Sequence, residues 1–194
     1  MKKALFGAGG FAREIHIAMG SPDTVFFVDD EYQDSKKNIY SVNKFDPSEY
    51  MLLIAIADPL TRNKVVESLP NETKYYTFID KNSIVMDKDV TIGEGSIICA
   101  GSIITTNISI GKHSQLNKHT TIGHDSEIKD YFTTAPGVKV SGYCSIGERV
   151  YLGMNASVKE KISICNDVVV GLNGGIVKDI TEQGTYVGTP AKKI

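Results

Sequence analysis

The chain has 194 residues, 21 Lys+Arg against 23 Asp+Glu for a formal net charge of -2, 41% hydrophobic residues and no Trp. This is the balance of a folded globular protein rather than a disordered or membrane chain, and without a basic excess no nucleic-acid partner is expected. Cys99, Cys144 and Cys165 are odd in number, widely spaced and without a C-x-x-C pair, which argues against a disulfide framework and a zinc site and fits a reducing compartment.

The first residues, Met1 to Gly10, hold too short an apolar stretch and too many glycines for a signal peptide. No run approaches the ~18 apolar residues of a spanning helix, so a cytoplasmic protein with no membrane partner is expected. Lys3 to Phe6 reads as a strand, Gly7-Ala8-Gly9-Gly10-Phe11-Ala12 as a glycine turn, and Arg13 to Met19 as the start of a helix. A second strand, Val25 to Val28, ends in Asp29-Asp30. A third, Met51 to Ala57, precedes a helix from Pro59 to Leu69, with Arg62 and Lys64 near its N-terminal end. Three βα units fit into residues 1–80, an α/β, Rossmann-like domain whose strand ends and helix N-terminus would favour a nucleotide's phosphates. The third glycine of a G-x-G-x-x-G pattern is replaced by Ala12, and there is no second mononucleotide half for a nicotinamide. A nucleotide-linked substrate is therefore expected rather than a dinucleotide cofactor.

From Ile92, every sixth residue to Ile176 is aliphatic at fourteen of fifteen positions, Thr134 being the exception. Glycine follows at Gly93, Gly111, Gly123, Gly147, Gly153 and Gly171, and small or apolar residues recur two positions before. A period of six smears around an α-helix, whereas short strands joined by turns place each aliphatic residue inward. Three hexapeptides close one triangular coil of 18 residues, so residues 81–194 form a second domain, a parallel β-helix of about five coils between about 84 and 180. Coils stack about 4.8 Å apart. The glycines are expected to supply left-handed backbone at tight corners.

Of the four histidines, His16, His113 and His119 read as solvated or packed. His124 follows the corner Gly123, is followed by Asp125, and stands 18 residues before Gly142. That offset stacks an imidazole base beside an unshielded backbone N–H, the minimum equipment for acyl transfer from a thioester. Asp125 would orient the imidazole, which requires irregular corner geometry because adjacent strand side chains point to opposite faces.

Gly7-Ala8-Gly9-Gly10-Phe11, Phe27-Val28-Asp29-Asp30, the hexapeptide array, Ile122-Gly123-His124-Asp125 and the closing Gly188-Thr189-Pro190-Ala191-Lys192-Lys193 together resemble the sugar acyltransferases of the PglD and NeuD type. The resemblance implies a left-handed β-helix and a homotrimer with acetyl-CoA bound between adjacent helices. It also implies a nucleotide-linked amino sugar as acceptor or, in the NeuD branch, a sialic acid. Carried over by position, His124 is the base, Asp125 its acidic partner in place of a longer Glu, Gly142 the oxyanion donor and Asn117 an acceptor-side residue. The nucleotide would be held by Gly9, Gly10, Asp29, Asp30 and Arg62, and the pantetheine by Met154 and Gly171. Phe11 and Thr133 stand where PglD-type proteins carry a sugar-side and a cofactor-side His. N-acetylation of a nucleotide-linked amino sugar is the expected reaction, with no metal. O-acetylation of a sugar hydroxyl is the alternative, and a non-catalytic hexapeptide scaffold a more distant one.

Overall fold

A computed structural model describes residues 1–194, which divide into two compact units, Met1–Phe78 and Ile79–Ile194. The first is built on β1 (Lys2–Phe6), α1 (Gly10–Met19), β2 (Val25–Val28), β3 (Ile39–Ser41), β4 (Tyr50–Ile54), α2 (Pro59–Ser68) and β5 (Lys74–Tyr75). All five strands are parallel, in the order β3-β2-β1-β4-β5. Ala4, Leu5, Phe6, Leu52, Leu53 and Ile54 are buried; strands covered on both sides need apolar residues in succession, not in alternation.

Only two of the three anticipated βα units contain an α-helix. The ten residues between β2 and β3 carry two 3-10 turns, Asp30–Tyr32 and Ser35–Lys37, because this short polar stretch has no apolar face to lay on the sheet. The edge strands β3 and β5 are too short to leave a periodic trace. Gly7 sits at φ +103°, and a Cβ there would stand 3.2 Å from the Ala55 carbonyl; glycine alone fits the turn out of β1. The Asp58 carboxylate caps α2 by accepting from Thr61 N at 2.7 Å, with Pro59 in the first turn, a favoured start for a helix.

The second unit is the β-helix. Two-residue strands recur every six residues and pair in parallel with the strand 18 residues on, as in Thr121↔Lys139 and Glu127↔Ser145. They form three faces. The first contains Thr91–Ile92 and Glu127–Ile128, the second Gln115–Leu116 and Tyr151–Leu152, and the third Ile103–Ile104 and Thr121–Ile122. One extra residue sits in the opening coil, where Ile84 pairs with Ile103, so the six-residue count runs cleanly only from Ile92. The core is the aliphatic column with Phe132, Val138 and Val150 two positions ahead of it. Thr134, the polar exception, is buried but satisfied: its hydroxyl lies 2.7 Å from Thr120 Oγ1 and accepts from Asn117 N at 3.0 Å.

The expected role of the glycines is corrected. Left-handed backbone falls three residues after each column residue from Ile92 to Val170, and so two after these glycines; it is held by Gly95, Gly101 and Gly137 but otherwise by non-glycine residues such as Asn107, His113, His119, Asp125, Tyr143 and Asn155. The glycines answer instead to close packing between coils. A Cβ on Gly111 would lie 2.6 Å from Asp130 N, and one on Gly123 2.5 Å from Gly142 N. At the far end, the strand Gly184–Val187 adds in parallel to Val168–Val170, and Lys192–Lys193 folds back on it antiparallel. No helix is long and apolar enough to cross a membrane.

Candidate active site

His124 and Asp125 occupy the edge where the chain turns from the third face to the first. Asp125 has φ +58°, and this left-handed corner turns two sequence neighbours to the same side, the irregularity that their pairing requires. His124 Nδ1 lies 2.7 Å from Asp125 Oδ2, leaving Nε2 unengaged. The ring of Tyr143, one coil on, meets the imidazole edge-on at 5.1 Å. Asn107, one coil back, donates its Nδ2 to the other Asp125 oxygen at 2.6 Å. The Asn107 amide first, and His124 second, hold the Asp125 carboxyl below its ordinary value.

Gly142 packs directly on the imidazole: a Cβ there would lie 2.8 Å from His124 Cε1 and Nε2. Its N–H makes no hydrogen bond within the chain. At two corners of a different edge, between the first and second faces, the matching N–H is taken by a side chain of the next coil, Lys112 N by Asp130 and Glu148 N by Asn166. At Gly142 it stays open, so a free Nε2 and a free backbone donor share one edge of the prism, the pairing needed to accept a proton and to stabilise an oxyanion.

In the N-terminal unit, a cavity of about 740 Å³ opens at the carboxyl ends of β1 and β2 and is lined by Gly7, Ala8, Gly9, Arg13, Asp29, Tyr32, Asp34 and Lys37 among others. Gly9 caps α1 without a side-chain hydrogen bond, and no acidic residue occupies the first turn, which leaves unsatisfied N–H groups suited to phosphate. Arg13 Nη1 donates to Ala8 O at 3.0 Å, setting a guanidinium over the glycine turn. His16 also lines this cavity, with Nε2 at 3.0 Å from Ser21 O and its ring against Phe26.

Residues 2–69 match the PglD N-terminal domain. Over 173 residues, 81% of this chain and 78% of the relative, the sequence is 35% identical to GDP-perosamine N-acetyltransferase of Escherichia coli O157:H7. The chain belongs to the PglD-type, acetyl-CoA-dependent sugar N-acetyltransferases. WeeI from Acinetobacter baumannii AYE superposes with a TM-score of 0.90 at 28% identity, covering 100% of both chains. PerB from Caulobacter crescentus, solved with CoA and GDP-perosamine, shares the fold with a TM-score of 0.87 at 24% identity, over 99% of this chain and 96% of that one.

For a PglD-type enzyme, the residues named from sequence separate by location. His124, Asp125 and Gly142 meet on the third-to-first edge. Asn117, Met154 and Gly171 lie together on a different edge, between the second and third faces, in the corners that follow Leu116, Leu152 and Val170. There Asn117 Oδ1 accepts from Lys118 N at 2.8 Å, Met154 is 51% exposed, and the Gly171 N–H is already given to Tyr186 O.

Several assignments are corrected. Thr133 is 2% exposed, which shuts it away from a cofactor in the single chain. Arg62 is fully buried and donates to Ile56 O at 2.6 Å and Ala57 O at 3.1 Å; it holds the loop after β4 and cannot reach a diphosphate. Asp30 accepts from Ser41 Oγ and from Asn43 Nδ2, tying β3 to the turn after β2. The cavity wall keeps Gly9 and Asp29 but not Gly10, Phe11, Asp30 or Arg62. Its cationic groups, Arg13 and Lys37, escaped the sequence reading, as did Asn107, although Asn107 stands one 18-residue step before Asp125.

Proposed function

We propose that the protein transfers the acetyl group of acetyl-CoA to the amino group of a nucleotide-linked amino sugar, with His124 as general base. The observation that carries the reading is the His124–Asp125 pair at 2.7 Å, packed on a glycine whose N–H is open. The acceptor nitrogen attacks the thioester carbonyl carbon while His124 Nε2 takes its proton. The Gly142 N–H donates to the resulting oxyanion, and collapse breaks the carbon–sulfur bond, the imidazolium returning the proton to the departing CoA thiolate. Asp125, ionised, holds Nδ1 and stabilises the imidazolium. No enzyme nucleophile is needed, because a thioester is already activated.

A GDP-linked amino sugar is the favoured acceptor, on the strength of the relative at 35% identity. The N-terminal cavity would take the nucleotide, with the diphosphate at the α1 N-terminus beside Arg13. The layout of the edges supports a homotrimer. The base and oxyanion donor lie at one edge of the prism and Asn117, Met154 and Gly171 at another, one face away. A second copy that lays its second-to-third edge against the first copy's third-to-first edge would bring the two sets together, and threefold closure would pair both of these edges in every copy.

The test is an acceptor panel with thiol release as readout: GDP-, UDP- and dTDP-linked amino sugars against free sialic acid, alongside light scattering of the purified protein. Release with a GDP-amino sugar and a trimeric mass supports the reading. Turnover with sialic acid alone would establish O-acetylation instead, and a stable monomer at micromolar concentration would remove the shared site.

A further inference from the structure

We propose that Asn107 is a positioning residue for the transfer: from the preceding coil its side-chain amide clamps one oxygen of Asp125, so that the other is held against His124 Nδ1 and Nε2 faces the acceptor. The inference rests on the reading of His124 as base. Asn107, Asp125 and Tyr143 each have left-handed backbone, at φ 51°, 58° and 59°, and stand 18 residues apart, so they rise as one column beside the column of His124 and Gly142. The column is in register: Asp125 N donates to Thr106 O and Tyr143 N to His124 O.

An aspartate at an exposed corner turns freely about its own side-chain bonds, and its carboxylate can leave the imidazole. Here one oxygen is occupied by Asn107 at 2.6 Å and the other by His124 at 2.7 Å. A carboxylate only accepts, so the amide must present its NH₂ and the bond is charge-assisted. The lowered Asp125 carboxyl, with Asn107 as the largest cause, agrees with that geometry. Asparagine also suits the left-handed backbone, as Asn155 and Asn173 do at other corners, so the test separates the amide from the backbone. The other titratable groups about the pair are Tyr143 on the next coil, Asp89 and Glu127 along the groove that Asp125 lines, and, two coils on, Glu160 and Lys161, the latter donating its backbone N–H to Gly142 O.

The decisive variant is Asn107→Gly, which keeps the left-handed corner without strain and removes only the amide. Asn107→Asp keeps the shape and turns the donor into a like charge, and His124→Ala runs alongside. Each full-length protein is assayed for kcat, KM for acetyl-CoA, melting temperature and the ¹⁵N signals of His124, which report its tautomer. The expected result for Asn107→Gly is an unchanged melting temperature and KM, a kcat lower by about tenfold, and His124 signals moved from the Nδ1–H tautomer toward a mixture. Asn107→Asp should lose more activity than Asn107→Gly. Wild-type kcat in Asn107→Gly, or a loss of kcat with the tautomer unmoved, overturns the positioning role. A fully active His124→Ala enzyme overturns the base itself, which separates the two failures.

Discussion

Replacing Gly142 by alanine would place a Cβ 2.8 Å from both Cε1 and Nε2 of His124. Gly142 is outside the left-handed region, so the backbone accepts alanine without strain and the collision falls on the imidazole alone. Ordinary contact requires the ring to retreat by about 0.6–1 Å, and a displacement of that order at a reacting group costs on the order of 10²-fold in rate. His124 is an exposed side chain, with 51% of its surface open, so it can retreat without disturbing the core. The melting temperature should therefore stay close to that of the wild type. Gly123→Ala supplies the contrast: its Cβ would stand 2.5 Å from Gly142 N and 2.6 Å from Ser141 C, backbone atoms that cannot yield, and should cost about 1–3 kcal/mol of stability. Thiol-release kinetics and thermal melts of both variants read the two effects separately. Gly142→Ala with full kcat would refute the placement of the base over this glycine, and with it the oxyanion role of the N–H.

Asp125→Asn should lower kcat by about tenfold, less than removal of the base, since the imidazole survives and only its orienting charge is lost. Because Asn107 and His124 hold the Asp125 carboxyl below its ordinary value, that carboxylate is ionised throughout the range above about pH 4. Thiol-release kinetics at neutral pH, where the orienting charge is present, check that loss, and wild-type kcat in Asp125→Asn would contradict the orienting role. Arg62→Met strips the loop after β4 of two buried hydrogen bonds and should destabilise the protein by about 2–4 kcal/mol. Its folded fraction should still bind nucleotide normally by calorimetry, and a selective loss of binding would restore Arg62 to the site. Arg13→Ala and Lys37→Ala should each weaken GDP binding by about three- to tenfold with little effect on melting. Unaltered binding in both would move the nucleotide out of the cavity.

The β-helix was legible because its signal is arithmetic: a six-residue period over Ile92 to Ile176 has one physical solution, and the 18-residue step that follows from it places His124 over Gly142. The same step, applied to Asp125, points to Asn107. Histidine positions alone do not lead to Asn107; the carboxylate's need for a second donor does. The N-terminal unit was legible where strands are long and buried on both faces, as in β1 and β4, and illegible at β3 and β5, two or three residues long and paired only through tertiary contact. Arg62 shows the other limit. A cation near a predicted helix start reads as a phosphate ligand, and only the three-dimensional course of residues 56–57 reveals that it is buried beneath them.

The central claim is tested most directly by steady-state acetyl transfer to a GDP-linked amino sugar by the wild type and His124→Ala, with the product identified by mass spectrometry and NMR. The account predicts a product carrying one added acetyl group as an amide on the sugar. In His124→Ala it predicts a kcat lower by about 10²- to 10⁴-fold with KM for acetyl-CoA unchanged, because the base acts on the acceptor proton and not on the thioester. A His124→Ala enzyme that forms the same amide at the wild-type rate would contradict it.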